Sequence, residues 1–103
     1  MMLTLMTQPR EVLLELAARV RRLRLDAGWT QGELAQRSGV AFSTLRLFER
    51  TGRISLERLV LAARALGAVD GFEALFQPPA ARTLADLEQR EKGRVRGRRR
   101  RHP

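Results

Sequence analysis

The chain has 103 residues, 44% of them hydrophobic, 30% charged and none cysteine, which suits one domain with a modest core plus a tail and excludes a disulfide framework or thiolate metal site. Its 20 basic and 11 acidic residues give a net charge of +9, a balance that favours an acidic partner such as a nucleic acid. From Lys92 onward there are seven basic residues and no acid, leaving 13 basic against 11 acidic before it, so most of the excess charge is tail and the body is a mixed-charge surface.

No apolar run is long enough to span a membrane. The opening MMLTLM is too short for a signal-peptide core and lacks a basic region before it. Residues 1–8 are therefore read as a flexible terminus, and a reducing cytoplasm is the expected location.

In chain order, Thr7 and Pro9 signal a helix start, a hydroxyl able to cap free amides and a proline tolerated in the first turn. Leu13, Leu16, Val20 and Leu23 then recur at three- and four-residue spacing with Arg19, Arg21 and Arg22 between them, which predicts an amphipathic helix. It ends near Ala27, because Gly28 can take the left-handed conformation, and Trp29 packs back into the core. Thr30 and Glu33 form a capping box, so a second helix runs from Gln31 to Ser38 with Leu34 and Ala35 facing inward. Gly39 stops it, and Val40 and Ala41 turn directly into a third helix over about 41–50. There Ala41, Leu45 and Phe48 form the core face, while Phe42, Ser43, Arg46 and Arg50 form the exposed one.

Thr51 and Gly52 break that helix. Ser55 caps a fourth, whose apolar stripe is Leu56, Leu59, Val60, Ala63 and Leu66, and Gly67 ends it. Asp70 caps a fifth, short helix in which Phe72, Leu75 and Phe76 serve either the core or a dimer seam. Pro78 and Pro79 open a linker with a short helix from Leu84 to about Glu91, capped by Thr83. The RVRGRRRRHP end is predicted to be disordered. The expected fold is all-α: a five-helix domain over 9–77, a linker and short helix over 78–92, and an Arg-rich tail over 93–103.

Arg24, Gly28, Thr30, Gln31, Glu33 to Gln36, Gly39, Val40, Leu45 and Glu49, in this order and spacing, resemble the helix-turn-helix domain of phage-repressor-type regulators, the XRE family. The resemblance covers about residues 12–76. It implies that the third helix enters the DNA major groove, where each base pair shows a different donor and acceptor pattern. By position, Phe42, Ser43, Arg46 and Leu47 would meet base edges, and Gln31, Thr44, Arg50 and Arg53 would contact phosphate. Arg24 and Glu49 match a pair that locks the first helix to the third. Two departures stand out. Phe42 and Leu47 replace polar readers, so contact with thymine methyls would carry part of the readout, unless Phe42 packs on the protein. The RTGRIS loop is one residue longer than the family's usual link.

The stretch from Thr44 to Phe76, followed by a proline-containing linker and a basic end, is similar to HipB-type antitoxins. That likeness implies a homodimeric repressor of its own operon, bound to an inverted-repeat operator on double-stranded DNA and to a HipA-like kinase toxin. A free-standing regulator without a toxin, or a nonspecific nucleic-acid binder driven by the tail, are the alternatives. The tail itself reads as a solubilising end, a DNA arm or a segment that orders on a protein partner. Catalysis is not expected: the single histidine, His102, lies in the tail, Asp86 and Glu88 sit on a short helix, and neither a triad, a metal cluster nor a cofactor site can be assembled.

Overall fold

The computed structural model describes residues 8–78 and Glu91. Thr7, the short helix expected from Leu84 and the tail over 93–103 lie outside the described residues. Within them the architecture is four α-helices and one 3-10 turn: α1 (Pro9–Asp26), α2 (Gln31–Ser38), α3 (Phe42–Thr51), α4 (Leu56–Ala65) and the 3-10 turn Val69–Phe72.

Gln8 holds the N-cap position of α1 with extended backbone and no side-chain capping bond, and Pro9 opens the helix. A proline is tolerated there because its missing amide would have had no helical partner. The capping box of α2 forms as predicted: Thr30 Oγ1 accepts from the Glu33 amide at 3.1 Å and Glu33 Oε1 accepts from the Thr30 amide at 3.1 Å. Ser55 caps α4 by accepting from the Arg58 amide at 3.2 Å.

The core cluster joins Ala17 and Val20 of α1, Leu34 of α2, Val40 of the turn, Leu45 and Phe48 of α3 and Ala62 of α4, with Trp29, Ala35, Ile54, Leu59, Leu61, Ala65 and Leu66 packed against it. Helix α3 contacts both α1 and α2, and α2 also contacts α4. The third helix is thus clamped from two sides along one face.

Several expectations need correction. The buried line of α1 is Ala17, Val20 and Arg24, whereas Leu13 and Leu23 are 39% and 40% exposed; the closest packing falls on a small residue, where another helix can approach, rather than on the largest ones. Ala41 is the exposed N-cap of α3, not a core residue. In α4, Leu56 is 67% exposed and Ala62 fully buried, because the first turn of that helix extends past the packed layer.

The predicted fifth helix is only the four-residue 3-10 turn, and Asp70 makes no capping bond. Gly71 weakens helix there and runs of the tighter 3-10 geometry stay short. Phe72 is half-buried, but Leu75 and Phe76 are exposed, Phe76 with a left-handed φ of 61°. A core role does not hold for those two.

Of the glycines with left-handed backbone, Gly39 and Gly52 are the C-caps of α2 and α3, under different constraints. Gly39 (φ 78°) has open space where a Cβ would stand, whereas a Cβ on Gly52 (φ 80°) would lie 2.7 Å from the Leu13 backbone carbonyl carbon. The turn after α3 therefore seats directly on α1. Gly39→Ala should cost about 1–2 kcal/mol, the penalty of left-handed backbone with a side chain. Gly52→Ala adds an overlap with backbone, a further cost of about 1–3 kcal/mol. Denaturant unfolding of the two variants should show Gly52→Ala clearly the less stable, and equal losses would contradict the close α1 approach.

Candidate nucleic-acid interface

The site is built around an ion pair. Arg24 projects from the last turn of α1 and Glu49 from α3, their side chains only 9% and 5% exposed. The guanidinium donates from Nε to Glu49 Oε2 at 2.8 Å and from Nη2 to Oε1 at 2.9 Å, a two-pronged fork, and from Nη1 to the Trp29 carbonyl at 2.8 Å. Gln31 Nε2 donates to the same Oε1 at 3.1 Å. One carboxylate therefore gathers the end of α1, the start of α2 and α3. No buried side-chain nitrogen or oxygen lacks a partner among the described residues.

Burial pushes the Glu49 carboxyl up, but hydrogen bonds from Arg24 and Gln31 and the charges of Arg24 and Arg21 outweigh it and hold the group below its ordinary range. Arg24 is raised by its hydrogen bond to Glu49, against desolvation and with the help of the carboxylate's charge.

The turn between α2 and α3 is set by a buried hydroxyl. Ser38 Oγ accepts from the Val40 amide at 3.1 Å and makes a longer contact of 3.5 Å to the Ala35 carbonyl. With Gly39 left-handed between them, Val40 drops into the core and α3 starts at once.

The opposite side of α3 faces outward. Phe42, Ser43, Arg46, Leu47 and Arg50 line one shallow concavity, with Phe42 48% and Leu47 42% exposed. All four expected base-reading residues thus share one surface, and Phe42 stands outside the core cluster. A neighbouring concavity is lined by Arg21, Arg24, Gln31, Arg46, Glu49 and Arg50, which brings Gln31 and Arg50 together beside the outward face of α3. Thr44 is half-buried on the flank of α3, and Arg53 lies exposed in the following loop, its amide held by Thr51 Oγ1 at 3.2 Å.

Two participants were not predicted. Arg21 lines the second concavity one turn before Arg24, and its place among alternating arginines of α1 gave no distinguishing signal. Arg37 lies over the Trp29 ring with its guanidinium carbon 4.4 Å from the centroid, a cation–π contact covering the half-buried indole.

A helix-turn-helix family model matches residues 20–73, from the middle of α1 through the 3-10 turn. The chain belongs to the helix-turn-helix family. As an XRE-type helix-turn-helix protein it is a DNA-binding regulator. No curated protein and no solved structure matches it. Among the described residues no helix is long and apolar enough to cross a membrane, and no group of His, Cys, Asp or Glu side chains is placed to hold a metal ion.

For the helix-turn-helix clasp, the depressed Glu49 value fixes the sign of its pH dependence. The unfolded carboxylate, at about 4.3, takes up a proton before the folded one does, so the stabilisation is whole above that value and is lost as pH falls through the lower folded one. Glu49→Gln leaves the Arg24 charge without a counter-ion and should cost about 2–4 kcal/mol at neutral pH, at the lower end of what breaking a buried pair costs. Unfolding followed from about pH 6 to pH 3 should fall more steeply for the native chain than for Glu49→Gln. Parallel slopes would show that Glu49 is not the titrating group.

Proposed function

We propose that the protein is a transcriptional repressor that binds an inverted-repeat operator as a homodimer, each protomer placing α3 in the major groove of double-stranded DNA. The observation that carries this reading is the outward face of α3, where Phe42, Ser43, Arg46 and Leu47 stand together on a helix fixed from behind by the Arg24–Glu49 fork. A helix presented in this way fits the major groove, with these side chains on the face that would meet base edges.

Phe42, Ser43, Arg46 and Leu47 take the base-reading role. Gln31, Thr44, Arg50 and Arg53 take phosphate, fixing register without reading sequence. The exposed Leu75 and Phe76, with the half-buried Phe72, are the dimer seam, since pairing would remove apolar surface that a single copy leaves in water. Two reading helices then sit with centres about 34–36 Å apart, one turn of the duplex.

The narrower assignment, an antitoxin that partners a HipA-like kinase toxin and represses the operon encoding both, is supported by the sequence pattern from Thr44 to Phe76 and the basic end. Co-purification with a kinase encoded beside this chain is its test. A cytoplasmic location follows from either role.

Footprinting on a selected operator should protect two half-sites one helical turn apart. A single unrepeated half-site would overturn the dimer mechanism. Arg46→Ala should weaken operator binding by about 1–3 kcal/mol and random duplex binding much less, as expected for a side chain that pairs with a base. Deleting residues 93–103 should lower the salt dependence and leave the preference for operator intact. Loss of that preference would favour a nonspecific binder driven by the tail.

A further inference from the structure

We infer that α3 recognises a guanine bracketed by thymine methyl groups, so that the operator half-site carries a guanine with a thymine on each flank. This rests on the operator-binding reading and adds the chemistry of the target to it.

The arrangement on the helix is specific. Taking about 100° of rotation per residue, the exposed arc of α3 begins at Phe42, passes through Arg46, Arg50 and Ser43, and ends at Leu47, about 140° from Phe42. These five residues line the same concavity. The face is therefore cationic and polar along its middle and apolar at both edges. Beyond those edges the helix turns inward: Glu49 is taken up by Arg24 and Gln31, and Leu45 and Phe48 are in the core.

Each part has a match on base edges. An arginine placed over the groove floor pairs with the O6 and N7 acceptors of guanine, and an apolar side chain matches the thymine C5-methyl, the one apolar group that base edges present there. Phe42 and Leu47, about half exposed in the free protein, offer no donor or acceptor to a base edge. A cytosine edge opposite either one would leave its amino group facing a phenyl or isobutyl group, a lost hydrogen bond. The five-residue separation moves Leu47 about 7.5 Å along the axis from Phe42. Around the exposed arc Arg46 lies about 40° from Phe42 and about 100° from Leu47, so the guanine it reads falls between the two methyl groups.

The test starts by selecting binding sites for the full chain from a random duplex pool, then replaces single thymines of the winning site with deoxyuridine, which removes only the methyl group. The expected result is a half-site with thymines flanking a guanine, a loss of about fourfold in affinity for each flanking thymine replaced, as burial of one methyl-sized group implies, and no loss for thymines elsewhere. Phe42→Ala should lose affinity on the thymine operator and show no further loss when its deoxyuridine is introduced, the non-additivity that marks a direct contact. Leu47→Ala should behave likewise at the other flank, and helicity by circular dichroism confirms that both variants fold. Full affinity for the deoxyuridine operators, or equal losses by both variants on the two DNAs, overturns the inference while leaving the operator reading in place. Failure to enrich any site overturns both.

Discussion

The fork between Arg24 and Glu49 is the constraint on which the rest depends. Removing two charges from water costs several kcal/mol per ion, and well-packed apolar residues could often supply as much stability. What an apolar contact does not supply is direction. Nε and Nη2 meet the two carboxylate oxygens at 2.8 and 2.9 Å while Nη1 takes the Trp29 carbonyl, so rotation of α3 about its own axis breaks several charge-assisted bonds at once. Gln31 completes the arrangement from the start of α2. In a domain whose fully buried large side chains are Phe48, Leu34, Leu45 and Val40, the apolar core sets how closely the helices pack and the fork sets which face of α3 looks outward.

The same fork sorts the charges. Arg24 and Glu49 neutralise each other inside, which leaves Arg21, Arg46, Arg50 and Arg53 exposed around the outward face of α3. The body's balance of 13 basic against 11 acidic residues hides this local excess. A polyanion approaching α3 therefore meets positive charge although the body is nearly neutral.

The sequence made legible those features that depend on local backbone chemistry. Thr30 and Glu33 specify a capping box wherever they start a helix, and Gly39 and Gly52 mark helix ends by their left-handed backbone, so α2 and α3 fell within a residue of prediction. The Arg24–Glu49 pair was readable only through resemblance, since nothing local joins residues 25 positions apart. What escaped was tertiary. Periodicity ranks Leu13 and Leu23 of α1 above Ala17, yet Ala17 is fully buried, because close approach selects small side chains. The seating of Gly52 on Leu13 was equally invisible; the glycine announces its backbone angle but not its neighbour. The fifth helix failed because dense apolar residues between Gly71 and Pro78 promised packing that the short 3-10 turn does not provide for Leu75 and Phe76.

One further regularity separates α3 from its neighbours. The first turns of α1, α2 and α4 carry Glu11, Glu33 and Glu57, which complement the positive helix end, and α2 and α4 also have side-chain caps. Helix α3 has neither: Ala41 makes no capping bond and its first turn holds no acid. A cap stabilises a helix by about 1 kcal/mol and a first-turn acid by about 0.3–1 kcal/mol, so α3 forgoes local stabilisation that the other helices use. An acid at that position would repel a phosphate backbone and occupy the amides nearest to it. The omission falls on the one helix whose outer face the fork holds toward solvent, and tertiary contacts with α1 and α2 must supply the rigidity that its own terminus lacks. That division is physically coherent in a DNA-binding regulator: local stability is given up at an uncapped, acid-free helix end, and the Arg24–Glu49 fork restores it from the opposite side.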